Sequence, residues 1–353
     1  MNFDLDNELS YKNADLMDMN SRLKSYPDLL SQGWAQSNTI DLPDEYSNVS
    51  KILIHGMGGS AISGDVLLNL LSREAPELEV FVHRDYDLPG WVGKDTLVIS
   101  SSHSGETEEV ISGIEVGRKN MAKMLAITSG GTLEKQFLKY NLPVFPLPKE
   151  GPPRTLFPFV VGLLCGILDS LLLSNLSLHI DETQREIYGL EQSLSRNTDA
   201  IANKAKGLAA ILDGTVPIVY IPREFSAVGR RWKAQLNENA KIFSSYELLP
   251  EAHHNSIMAL EKETNAHIIL ITPSVTNENI DRRYKATKLF LEKKSVPHTT
   301  LAAPGATILS QLLGACLLAD YTSYYLALIR GVQPSTNDSI DQIKHILKKN
   351  LTF

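Results

Sequence analysis

The sequence predicts an α/β protein made of two doubly wound units, each a parallel sheet flanked by helices. Three observations predict it. Short apolar runs of strand length alternate with segments whose apolar residues recur at helical spacing, in both halves of the chain. At Lys51–Asp65, KILIHGMGGSAISGD, a strand breaks into glycines and turns directly into a helix. Between 142 and 153, Pro143, Pro146, Pro148, Pro152 and Pro153 interrupt the pattern and mark a boundary. The expected units are therefore residues 1–153 and 154–353.

Taken in order, residues 1–50 are polar and helix-prone, with Asp41-Leu42-Pro43 as a stop, and are expected to pack on the outside of the first unit. Strands are predicted near 52–55, 79–83, 96–100, 123–128 and 143–146, and helices near 60–72, 105–119 and 132–139. Two long helical stretches follow, 155–174 and 181–208. The second set has strands near 217–221, 244–248, 267–272 and 297–301. Its helices fall near 226–241, 279–293, 306–330 and 339–349.

Composition narrows the class. The chain has 353 residues, 43% hydrophobic and 21% charged, ordinary values for a globular protein that needs no disulfide staples. Net charge is −7 with no long basic run, which argues against nucleic acid as a partner. Cys165 and Cys316 each lie in an apolar helical stretch and read as reduced core residues. The acidic start, MNFDLDNELS, has no signal-peptide pattern. The run Leu156–Leu173 contains Pro158 and Asp169 and reads as a buried helix rather than a membrane span. A cytoplasmic protein is expected.

Two turns carry the chemistry. In the first, Gly56, Gly58 and Gly59 follow the strand and Ser60, a good N-cap residue, opens the helix. Free backbone N–H groups at a helix N-terminus suit an anion. Gly56-x-Gly58-x-x-Ala61 loosely fits a dinucleotide fingerprint, with Asp85 placed to meet a ribose; a monophosphate cradle is the other reading. The second turn decides between them. Thr96–Ser100 runs into Ser101-Ser102-His103-Ser104-Gly105-Glu106-Thr107 before the next helix. Hydroxyls and amides from neighbouring βα turns can surround one tetrahedral anion, whereas a pyrophosphate uses only the first turn. An ordinary N-cap cluster is the plain alternative for the second turn.

The GMGGS turn together with Ser102-x-Ser104-Gly105-x-Thr107 resembles the sugar isomerase (SIS) domain, a phosphosugar-binding module. Later motifs resemble, more narrowly, the bifunctional phosphoglucose/phosphomannose isomerase family: Pro152-Pro153-Arg154, Gln235-Leu236-Asn237-Glu238-Asn239-Ala240-Lys241, His254-Asn255, and Lys344 in the final amphipathic stretch. Without the resemblance, Arg154 could be a solvated linker residue, Glu238 a surface glutamate and Lys344 one of several exposed lysines. The resemblance implies that Gly59, Ser60, Ser102, Ser104 and Thr107 hold a phosphate, that Glu238 moves the proton, that His254 and Lys344 serve ring opening, and that Arg154 stabilises the enediolate. It implies a hexose 6-phosphate substrate, no nucleotide or metal cofactor, and a homodimer with sites near the subunit contact. Adjacent His253 and His254 invite a metal reading, but no partner stands at zinc spacing. Departures are Gln333 for an acidic residue, Ser335-Thr336 for Thr-Pro, and His103 and Glu106 in the second turn. A non-catalytic phosphosugar sensor, or an isomerase of another phosphosugar, remains open. The second half has Pro222-Arg223-Glu224-Phe225-Ser226 where the first has its glycines, so one phosphate site per chain is expected.

Overall fold

A computed structural model describes residues 3–350 except Glu263. The order of elements is α1 (Glu8–Ala14), α2 (Met19–Lys24), α3 (Tyr26–Gln36), β1 (Lys51–Gly56), α4 (Gly58–Glu74), β2 (Glu79–His83), β3 (Thr96–Ser102), α5 (Glu108–Lys119), β4 (Lys123–Thr128), α6 (Gly131–Lys139) and β5 (Val144–Pro146). Then come α7 (Phe157–Ser170), α8 (Ser177–Leu194), α9 (Lys204–Leu212), β6 (Val216–Pro222), α10 (Ser226–Glu238), β7 (Ser245–Leu249), β8 (Ala266–Thr272), α11 (Glu278–Lys293), β9 (His298–Ala302), α12 (Ile308–Ile329) and α13 (Asp338–Asn350).

The strands form two parallel sheets, in the orders β2-β1-β3-β4-β5 and β7-β6-β8-β9. Every strand is where the sequence places it. In each sheet the chain winds one way and then crosses back, so a switch point lies between β1 and β3 and another between β6 and β8. Strand residues alternate between two cores. Ile52, Ile54, Leu97, Ile99, Val219, Ile221, Ile269 and Ile271 face one large central core, while Leu53 and Val98 face an outer cluster on the first sheet. Tyr220, Ile268 and Leu270 face an outer cluster on the second. The sheets thus share a helical middle layer that includes α4, α7, α10 and α12.

Three expectations about helices are corrected. The N-terminal segment does not coat the outside of the first unit. Its α3 packs along α7 and also meets α8, and Tyr26 and Leu30 are buried. Glycines permit this closeness: a Cβ on Gly162 would lie 2.1 Å from the Leu30 carbonyl oxygen. The single helix expected at 181–208 is broken into α8 and α9. Asn203 makes the break, because its Oδ1 caps Ala205 and Lys206 while its Nδ2 donates to the Leu194 and Ser195 carbonyls. Ser60 is not an N-cap, since α4 already begins at Gly58 with Met57 as its cap residue.

The apolar stretch Pro153–Ser170 and helix α12 are each long and apolar enough to cross a membrane, and they are 78% and 94% buried inside the fold. Cys165 and Cys316 are free and buried. Burial pushes the Cys165 thiol up to about 12, so it stays protonated.

Candidate active site

The two turns meet at the switch point of the first sheet, where β1 and β3 run side by side and Gly56 is in register with Ser101. No side chain caps α4, which leaves its first N–H groups free to bind an anion. Helix α5 likewise has no side-chain cap from Thr107. That hydroxyl is instead 2.7 Å from Ser102 Oγ, and Ser102 Oγ accepts from the Gly105 N–H at 3.1 Å. The Ser104 hydroxyl accepts from the Glu106 N–H at 3.2 Å. Gly105 has φ +67°, and a Cβ there would strike the Gly130 carbonyl oxygen at 1.8 Å, so the turn admits only glycine. Glu106 is turned away from the cradle: its carboxylate accepts from the Thr132 N–H and hydroxyl at 2.8 and 2.9 Å and caps α6. The ring of His103 is 3.2 Å from the Pro148 carbonyl, tying the turn to the proline boundary.

Arg154 brings the second unit to this cradle. It lies in a 3₁₀ turn, Pro153–Leu156, directly after Pro152, and its backbone is next to Gly59: a Cβ on Gly59 would be 3.5 Å from the Arg154 Cα. The side chain is 3% exposed and uses all three of its nitrogens. Nε donates to Asn239 Oδ1 at 2.7 Å, Nη1 to Asn337 Oδ1 at 2.6 Å, and Nη2 to the Pro334 carbonyl at 2.5 Å. Nη1 also reaches Glu238 Oε2 at 3.4 Å. Burial lowers the Arg154 pKa from its ordinary value, and the Glu238 charge opposes that shift.

A second arginine holds the first. Arg231, 1% exposed, forms a bidentate pair with Asp320 at 2.9 and 2.7 Å and donates to the Arg154 carbonyl at 2.9 Å. Asn239 completes the support by donating to Ser323 Oγ at 3.0 Å. Asn239, Asn337, Pro334, Arg231 and Asp320 were not among the residues singled out in the sequence. Only Asn239 carried a local signal, the amide-rich run around Glu238.

The remaining candidates are placed differently. Glu238 ends α10, so it lies at the amino edge of the second sheet. His254 ends the 3₁₀ turn Glu251–His254 that follows β7, so it lies at the carboxyl edge and is exposed. The five residues of β7 separate the two edges by roughly 16 Å. Lys344 is exposed on α13, two helical turns beyond Asn337. Among the described residues, neither His254 nor Lys344 hydrogen-bonds to the Arg154–Glu238 group. His253 faces α11, hydrogen-bonded to Thr287 and Arg283. Among the described residues no group of three His, Cys, Asp or Glu could hold a metal ion.

A doubly wound parallel sheet with hydroxyl-rich turns at its switch point is the architecture of the SIS class. Residues 201–347 match the family model described as bacterial phospho-glucose isomerase C-terminal SIS domain. The fold resembles the crystal structure of a hypothetical protein from Thermus thermophilus, with TM-score 0.76 over 99% of this chain and 94% of that one, at 14% identity. The bifunctional phosphoglucose/phosphomannose isomerase of Aquifex aeolicus is 30% identical over 88% of this chain and 94% of its own length. The D-glucosamine-6-phosphate 4-epimerase of Sulfolobus acidocaldarius is 28% identical over 81% and 85%. The chain belongs to the bifunctional phosphoglucose/phosphomannose isomerase family.

Proposed function

We propose that this protein interconverts glucose 6-phosphate and mannose 6-phosphate with fructose 6-phosphate by moving a proton between C1 and C2. The observation that carries the reading is the Arg154 fork, which joins the phosphate turn at Gly59 to the Glu238 carboxylate. The phosphate dianion sits on the N-termini of α4 and α5 and on the hydroxyls of Ser60, Ser102, Ser104 and Thr107. Held there, the sugar extends toward Glu238. That carboxylate removes the C2 proton of the open-chain aldose. The electron pair moves to the carbonyl oxygen, giving a cis-enediolate whose charge Arg154 offsets. The O2 proton passes to O1, and return of the abstracted proton to C1, as the O2 electron pair forms the C2 carbonyl, completes the ketose. Positioning through the remote phosphate accounts for much of the rate, because orientation alone can lower a barrier by about 7–11 kcal/mol. No metal or nucleotide takes part in this scheme, and its setting is the cytoplasm.

Ring opening needs a proton donor at O5 and an acceptor for the O1 proton. His254 and Lys344 take these roles, but His254 stands at the wrong edge of its own second sheet to reach Glu238. A homodimer resolves this, with each chain lending His254 to the site of the other. An exposed apolar stripe on α13, formed by Ile340, Ile343, Ile346 and Leu347, supports a contact with a second copy.

The test of the chemistry is Glu238→Gln, assayed with glucose 6-phosphate and mannose 6-phosphate. Turnover should fall about 10²–10⁴-fold while fructose 6-phosphate still binds, and the bound sugar should stop exchanging its C1 or C2 proton with deuterated water. Full exchange by the variant would remove Glu238 as the base. Wild-type protein that binds without exchange would make the chain a sensor. The epimerase relative makes glucosamine 6-phosphate the competing substrate to include.

The test of the dimer is complementation. Glu238→Gln and His254→Ala chains should each be inactive. Co-expressed, they form mixed dimers with one intact site, and about a quarter of wild-type activity should return. No recovery would place both residues' work within one chain.

A further inference from the structure

A cleft of about 770 Å³ opens at the carboxyl edge of the second sheet, lined by Arg223 after β6, His253 after β7, and Asn277, Arg282 and Arg283 at the start of α11. We propose that this cleft is a second phosphate-binding site, distinct from the cradle at Gly59 and Ser102. It is flanked by the turns after β6 and β8, at the switch point where an open parallel sheet accepts ligands. The first sheet binds its anion there with glycine amides. The second has no glycines in that turn and presents guanidinium groups instead, which match a phosphate bidentately.

Charge in the cleft is one-sided. Among the described residues, none of Arg223, Arg282 and Arg283 forms an ion pair with a carboxylate. The one carboxylate lining the cleft, Glu224, is taken by Arg73 at 2.5 Å. His253 is neutral: Arg283 donates to its Nδ1 at 3.1 Å, so its Nε2–H donates to Thr287 Oγ1 at 2.8 Å, and Thr287 donates to the Arg283 carbonyl at 2.8 Å. That closed ring fixes the Arg283 guanidinium at the mouth. Three cations concentrated in one cleft of a chain with net charge −7 select a small multivalent anion.

The two sites are far apart. Arg73 and Glu224 lie by the last turn of α4 and the cradle by its first, and seventeen residues of helix span about 25 Å. Within one chain, ligands at the two sites therefore do not compete for one volume, and His254, which the dimer lends to the partner's site, does not line the cleft.

Titration calorimetry of the full chain with inorganic phosphate tests the proposal. Two phosphates per chain are expected. Arg223→Glu and Arg282→Glu, both at exposed positions, should each weaken one of them by about tenfold or more and leave the other intact. Ser102→Ala should do the reverse, so loss of this site and loss of the active-site cradle are told apart. Repeating the titration with glucose 6-phosphate identifies the source: tighter binding at the arginine site than inorganic phosphate means a sugar phosphate, equal binding the free ion, and either supports the site. One phosphate per chain in the wild type, as a second copy covering the cleft would also give, overturns it. So does a second site indifferent to both arginine variants.

Discussion

Arg154→Lys preserves the positive charge and removes the fork, so it isolates what the fork does. The guanidinium serves four acceptors from three nitrogens, and three of the four are amide or carbonyl oxygens rather than carboxylates. An ammonium is one point on a flexible stem and can satisfy at most about half of them. A hydrogen bond to a charged group contributes about 1.5–3 kcal/mol, so two lost bonds cost on the order of 3–6 kcal/mol before relaxation. Pro334 and Asn337 precede α13 and can turn to water, while Asn239 cannot, because it is buried in the central layer. We therefore expect a net loss near the lower end, about 3 kcal/mol, concentrated in residues 333–337 rather than spread over the fold. Two measurements check this. Hydrogen exchange at 333–337 should accelerate strongly while β1 and β3 keep their protection. Turnover should fall about 10²–10³-fold, as expected for a lost electrostatic stabiliser, with fructose 6-phosphate affinity nearly unchanged. A lysine variant with wild-type turnover and wild-type protection at 333–337 would refute the role given to the fork.

Ser102→Ala and Thr107→Ala should each weaken fructose 6-phosphate about 10- to 100-fold by calorimetry. Because the two hydroxyls are 2.7 Å apart, the double variant should lose less than the sum of the single losses. His55→Gln should flatten the acid side of the stability profile. His55 is fully buried, its Nε2–H donates to the Asp85 carbonyl at 3.0 Å, and its Nδ1 has no partner. Burial holds its pKa below the ordinary histidine value, so its contribution is complete above about pH 6.5 and is lost as pH falls from there toward the folded pKa. Glutamine keeps a donor and cannot titrate. Urea midpoints between pH 7.5 and 5 should fall less steeply in the variant, though His267, lowered in the same direction by burial, keeps part of the slope. An unchanged slope would exclude His55 as the source.

The strands and the site turns were legible because their signals are local. A parallel strand buried on both faces reads as a continuous apolar run, and β3 is buried along its whole length. The break between α8 and α9 was also legible in principle, since Asn203 precedes a helical pattern and asparagine favours the cap. The misplacement of α3 was not. Its packing depends on Gly33 and Gly162 letting two backbones touch, and these positions are 129 residues apart in sequence (162 less 33). The same holds for the site. Arg154 and Glu238 were found by motif, whereas Asn239, though it stands inside the Glu238 motif, and Asn337 act on Arg154 from 85 and 183 residues away, and no spacing announces those contacts.

The reason we place one reaction centre in a duplicated architecture lies in how α4 and α10 cross. Asn69 of α4 accepts from the Ala227 N–H at 2.9 Å, and its amide donates to Ser226 Oγ at 3.3 Å, so the end of α4 is fixed to the start of α10. Arg73 and Glu224 repeat that contact one turn later. The helices therefore run antiparallel, and the start of α4 meets the end of α10 through Arg154. The carboxyl edge of the first sheet, where we place the anion, is set against the amino edge of the second, which carries Glu238. An equivalent phosphate turn in the second sheet would face away from both. The second sheet's carboxyl edge thus lies away from the Arg154–Glu238 group of its own chain, and the residues there, His254 among them, can act only on something that approaches from outside the chain.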